Sequence, residues 1–227
     1  MNVNEIKQKI EELNDWARNT DCYDIALFRI WLIFEKYLIE KFIQYSIGET
    51  GGIQSITYKI RFLDKEHLSY FLKGDRTFVE YLGKIEKLSK HIFENNPFTI
   101  IIDDATYSKV YNELKTIRNH VAHDSDESRT KFFKDCLFSK TSDENLGVNE
   151  YLKRNTSRTN AKSNYSRLIE GVIHIVTFID DPFFHSLLLI NSGIVEADKR
   201  TRQTSRLPRE VRRDRSTRID EMKKLVK

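Results

Sequence analysis

The sequence predicts an all-α chain, folded as an antiparallel helical bundle with a basic extension at its C-terminus. Three observations predict it. Eight Gly and three Pro in 227 residues are too few for the many turns of a β-sandwich. Charged residues make up 32% of the chain, as in a polar-surfaced helical globule. Apolar residues recur at spacings of three and four along several long segments.

Residues 3–18 read as the first helix, because Ile6, Ile10, Leu13 and Ala17 form one stripe. Thr20 or Asp21 is a natural N-cap for the second. That helix runs to about Tyr45 and carries Ile25, Phe28, Leu32, Ile39, Phe42 and Ile43, with Trp31, Phe34 and Leu38 besides. So wide an apolar surface fits the central helix of a bundle, or one that also meets another chain. Glu35 falls inside this stretch. Either it is a partly exposed charge paired with Arg29 or Lys36, or it points at Arg118.

Gly48, Gly51 and Gly52 mark a loop. A short helix from Asp64 to about Lys73 ends at Gly74. Asp75 caps another, to about Phe93, with Phe78, Leu82, Ile85, Leu88 and Ile92 facing the core. Asn95, Asn96 and Pro97 break the chain, and residues 98–102 (FTIII), strand-like in composition but without a partner, read as a buried connector. Asp103 or Asp104 caps the next helix, whose core stripe is Tyr107, Val110, Tyr111, Leu114, Ile117 and Val121. Residues 127–138 read as a further short helix, or as its continuation after a kink. Residues 139–163 are polar and read as a mobile excursion. A last core helix covers about 164–180, through Leu168, Val172, Ile173, Val176 and Ile179; Asp180, Asp181 and Pro182 end it, and residues 183–194 pack back on the bundle. No internal repeat is present.

Charge divides the chain into a domain of residues 1–198 and a tail of residues 199–227. The tail holds twelve Lys/Arg and four acids, a net +8, which leaves −4 on the rest. A basic tail on a mildly acidic body suggests a polyanionic partner, most often nucleic acid. Arg200, Arg202, Arg206, Arg209, Arg212 and Arg213 are its candidate RNA contacts. Such a segment has too little apolar surface to fold alone. Cys22 and Cys136 share no metal-ligand spacing and read as core residues in a reducing compartment. The N-terminal residues are polar and acidic, and no apolar run approaches the ~20 residues that span a bilayer, so a cytoplasmic location is expected. His67, His91, His174 and His185 have no ligand-like clustering, and the Gly48–Gly52 loop has no Lys–Ser/Thr partner for a phosphate. Neither a metal nor a cofactor is expected.

The stretch with chemistry in it is RNHVAH: Arg118, Asn119, His120, Val121, Ala122 and His123. Arginine is always charged, and its planar fork matches phosphate oxygens. Histidine can take or give a proton near neutral pH. Residues four apart share a helix face, so Asn119 can hydrogen-bond His123 and fix its ring. His123 lies at an expected helix C-terminus, where the dipole favours the imidazolium. Such a set suits RNA cleavage without metal: the 2′-hydroxyl attacks the adjacent phosphorus, histidine moves the proton, and arginine stabilises the transition state. Spacing alone equally fits a surface arginine and a histidine at the helix end. His120 could assist, or be a solvent-facing neighbour.

ALFRIWLIFEKYLIEKF, then a helical hairpin, then LKTIRNHVAH leading into a polar loop resembles the HEPN superfamily of all-helical nucleases. The resemblance covers about residues 1–185. The motif of that superfamily is Arg, a polar residue, three to five more residues and His, here Arg118, Asn119 and His123. It implies a metal-independent endoribonuclease that leaves 2′,3′-cyclic phosphate ends. It also implies a homodimer whose two motifs face each other in one composite site, and a role in toxin–antitoxin, phage-defence or stress systems with an antitoxin or defence protein as partner. Some members bind without cutting, so the alternative is a non-catalytic module that binds RNA or protein. In one branch a tyrosine two positions after the motif histidine is modified by the antitoxin; here that position is Ser125, which argues against such control.

Overall fold

The computed structural model describes residues 1–49, 56–73, 81–137, 146–156 and 162–181. All of them belong to one unit, Met1–Asp181. The expectations for residues 183–198, for the tail at 199–227 and for His185 lie outside the described residues, as do Gly74 to Phe78.

The described chain is mostly helical. α1 (Val3–Thr20) opens on a capping box in which Asn2 Oδ1 accepts from Glu5 N while the Glu5 carboxylate reaches back. Ile6, Ile10 and Ala17 are buried and Leu13 is partly so. Asp21 ends α1 in the left-handed backbone region, φ 56°. α2 (Tyr23–Ser46) then returns antiparallel, bringing the Met1 ammonium 3.0 Å from Glu40. Neither Thr20 nor Asp21 caps α2. The flanking residue is Cys22, and the Tyr23 N–H is satisfied from far along the chain, by Asn149 Oδ1 at 2.9 Å. Cys22 is therefore half-exposed at a helix end rather than in the core, while Cys136 is buried.

α2 is the central helix. It packs against α1, α3 (Lys65–Lys73), α4 (Tyr81–Ile92), α6 (Tyr107–His123), α8 (Val148–Lys153) and α9 (Asn164–Asp180). Its core face is Leu27, Ile30, Trp31, Phe34, Tyr37, Leu38, Phe42 and Tyr45. Two phenols fasten it to α9: Tyr37 Oη donates to the Val176 carbonyl at 3.1 Å and Tyr45 Oη to that of Ile179 at 2.8 Å. Lys41 pairs with Asp180 at 2.6 Å at the same end. Ile25 and Leu32 are 42% and 45% exposed, on the opposite side. Both faces of α2 are apolar, so periodicity could not tell which one the bundle covers.

Asp64 caps α3 by accepting from His67 N at 2.7 Å. Residues 98–102 are largely buried, as read, but helical where their composition is strand-like. Asn96 Oδ1 accepts from Phe98 N at 3.0 Å, turning the chain into the single helical turn α5 (Thr99–Ile102) with Ile100 and Ile101 buried. That Asx turn overrides the β propensity of the isoleucines. Asp104 Oδ1 accepts from Thr106 N and Tyr107 N, both at 2.8 Å, and so completes the first turn of α6. α7 (Asp126–Cys136) is a separate helix and not a continuation. The expected mobile excursion contains α8, which buries Val148, Tyr151 and Leu152. Tyr151 Oη donates to Glu113 at 2.6 Å, and Arg167 pairs with the same carboxylate at 2.5 Å, so α8 is tied to α6 beside α9, while residues 139–145 and 157–161 of the expected excursion lie outside the described residues.

α6 and α9 approach closely at Gly171, where a Cβ would stand 2.5 Å from Val110 Cγ1. Gly171→Val is expected to lower stability by about 2 kcal/mol through overpacking. Urea unfolding of Gly171→Val against wild type measures it, and equal midpoints would show that the helices can part freely.

Candidate functional site

α6 carries the RNHVAH stretch through its last two turns. Asp124 stops the helix in the left-handed region, φ 43°, with its N–H on the His120 carbonyl at 2.9 Å. A reciprocal Ser125–Ser128 capping box then starts α7: Ser125 N donates to Ser128 Oγ at 3.0 Å and Ser128 N to Ser125 Oγ at 3.2 Å. α7 therefore folds back along α6, and Thr116 Oγ1 donates to Asp135 at 3.3 Å.

Arg118 is half-buried. Its Nη2 lies 3.6 Å from Glu35 Oε2, and that same oxygen accepts from Trp31 Nε1 at 3.0 Å. Trp31 is buried, with its ring centroid 5.8 Å from Phe34 and 5.7 Å from Tyr111. A rigid indole thus aims the carboxylate, and the carboxylate faces the guanidinium. Neither cation considered for Glu35 takes it. The Arg29 guanidinium lies over the Trp16 ring at 5.2 Å, and Lys36 approaches Glu40 at 3.9 Å. Arg118 Nε is buried with no hydrogen-bond partner among the described residues. The sequence reading missed Trp31 as a polar partner; the available signal was its i,i+4 spacing to Glu35.

Asn119 does not orient His123. Its Oδ1 accepts from Arg118 Nη1 at 2.9 Å, so the amide serves the guanidinium next to it. His123 is exposed on the final residue of α6 and makes no hydrogen bond among the described residues. Five residues separate Arg118 from His123, about 7.5 Å along the axis and about 140° around it. One chain therefore does not bring the two onto a single face.

His120 is not a solvent-facing bystander. It stacks on Phe132 at 5.3 Å between centroids, with 23° between planes, and Nδ1 is 3.2 Å from Ser128 Oγ. Burial lowers its pKa; Asp124 opposes this and Arg129 adds to it. The folded protein accordingly binds fewer protons than the unfolded chain just below pH 6.5, so His120 stability is lost as pH falls through that range. His120→Phe is expected to flatten the fall in melting temperature between pH 7 and pH 5, read by thermal scans. An unchanged slope would assign the fall to other groups.

A cleft of about 820 Å³ is lined by residues of α6, α7, α8 and α9 that include Lys109, Glu113, Cys136 and Arg167, and Arg118 is not among its lining residues. Among the described residues no three His, Cys, Asp or Glu side chains gather as metal ligands, and no helix is long and apolar enough to cross a membrane. The arrangement offers a cation held by Glu35 and Asn119 and, five residues on along the same helix and on another side of it, an exposed imidazole. No protein-family model, no curated protein and no solved structure matches the chain.

Proposed function

We propose that this chain is a metal-independent endoribonuclease of HEPN type, acting as a homodimer with a composite site, and that it serves as a toxin or as a phage-defence or stress effector. The observation that carries the reading is the Trp31–Glu35–Arg118–Asn119 chain. Three side chains fix one half-buried arginine, and the exposed histidine five residues on in the same helix makes no hydrogen bond among the described residues. Ion-pairing lets Glu35 hold Arg118 in place between turnovers, and a phosphate would compete for the same guanidinium. In a two-fold dimer the second copy supplies a second histidine, one acting as base and its twin as acid. Ile25, Phe28, Leu32 and Ile39 recur with Glu35 on one face of α2, and none of these apolar side chains is fully buried. That stripe is the interface we assign to the second copy.

One observation favours the alternative, a non-catalytic RNA- or protein-binding module. No side chain among the described residues hydrogen-bonds His123. Incubating purified protein with labelled single-stranded RNA in EDTA separates the two. Cleavage products ending in 2′,3′-cyclic phosphate support the nuclease, and retention of intact RNA supports the module.

A further inference from the structure

Four of the six large hydrophobic side chains exposed among the described residues fall between positions 60 and 71. Leu63 is 86%, Tyr70 82% and Phe71 54% exposed. They stand on a firm base. Leu68 and Leu72 bury one side of α3, and the buried Phe62 ring sits 5.2 Å from Phe71 and 5.4 Å from His67. His67, Tyr70 and Phe71 are spaced i, i+3, i+4 and share the outer side of the helix.

The charge of the segment that carries these rings is net positive. Lys59, Arg61, Lys65 and Lys73 are exposed, and none pairs with a carboxylate among the described residues. Lys59 Nζ donates to the Lys90 carbonyl at 3.0 Å and Arg61 Nε to that of Ile47 at 3.3 Å, which fixes the side chains and leaves the charge. The two acids in the segment, Asp64, which caps α3, and Glu66, stand against these four cations and leave residues 59–73 at a net +2. A docking face for a protein would need its cations matched by acids on the partner. Exposed rings interleaved with unpaired cations match a strand of bases and phosphates: every base has a face to stack, and every phosphate a charge to neutralise. A duplex hides its base faces and does not fit.

We propose that this face of α3, with Tyr70 at its centre, is a stacking platform for single-stranded RNA. It is a second RNA contact, distinct from the Arg118 surface. The choice of RNA rests on the function proposed above, but binding is read here without cleavage. The probe is a fluorescent 2′-O-methyl oligouridine, which has no 2′-hydroxyl to attack, titrated with the full chain and followed by anisotropy. Tyr70→Ala should weaken binding about tenfold, and Tyr70→Trp should preserve it. Tyr70 is largely solvent-exposed, so folding is not at stake. Lys65→Gln with Lys73→Gln should reduce the slope of log affinity against log salt by roughly 1.4, about 0.7 for each charge. An unchanged affinity in Tyr70→Ala overturns the platform. So does binding to phosphatidylserine vesicles, or self-association, that depends on Tyr70 while the oligonucleotide affinity does not. Tyr70-dependent binding in a protein that never cuts RNA supports the platform and leaves only the nuclease reading to fall.

Discussion

His123→Ala is expected to stop RNA cleavage, slowing it by about 10²- to 10⁴-fold, with helical content unchanged. The second half of that expectation comes from the geometry. His123 is exposed, ends α6 and bonds to nothing among the described residues, so removing its ring unmakes no packing. The first half comes from the reaction. The 2′-oxygen must lose its proton as it bonds to phosphorus, and the 5′-oxygen must gain one as its bond to phosphorus breaks. An imidazole accepts the first proton and an imidazolium gives the second. Arg118→Ala should cost about 10²- to 10³-fold, because the charge that builds on the phosphoryl oxygens loses its fixed partner. The two variants differ in a way worth measuring. Arg118→Ala also leaves the half-buried Glu35 carboxylate with only the Trp31 N–H, so its melting temperature should fall, whereas that of His123→Ala should not. Product analysis by gel and circular dichroism on the same samples suffices. Wild-type rates for His123→Ala, or cleavage that EDTA abolishes, would end the proposed chemistry.

Much of this could be read from the sequence, because it depends on neighbours along one helix. The stripes of α1, α6 and α9 are local patterns, and Asp64 and Asp104 are local caps. The approach of Glu35 to Arg118 was one of two options the sequence left open; geometry chose it through Trp31, four residues earlier on the same helix. What could not be read depends on contacts far apart in the chain. Asn149 caps α2 from more than a hundred residues away. Tyr151 ties an otherwise polar segment to Glu113 and turns an expected excursion into α8. Asn119 had two acceptable partners at helical reach, and the adjacent guanidinium won over the histidine one turn on, since a hydrogen bond to a charged donor is the stronger. α2 offered two apolar faces, and the helices packed against it, α6 and α9 among them, decide which is core.

The outer face of α2 is where the dimer reading is most exposed to test. Leu32→Glu should convert the protein to a monomer and remove its activity, with little change in melting temperature. At 45% exposure the Leu32 side chain contributes modestly to its own fold. Across a two-fold axis the same substitution enters the interface twice, where each leucine would contribute about 2 kcal/mol and each glutamate would meet its like-charged twin. Light scattering reads the assembly, and an active monomer at assay concentration would sink the composite site. Mixing subunits goes further. In a dimer of one Arg118→Ala and one His123→Ala chain, the shared site keeps a single arginine and a single histidine. If both copies of each residue serve one site, the mixture stays well below wild type, however tightly the subunits associate. Full restoration would mean that one arginine and one histidine suffice. With Arg118 and His123 about 140° apart on the same helix, that pair would have to come from opposite subunits.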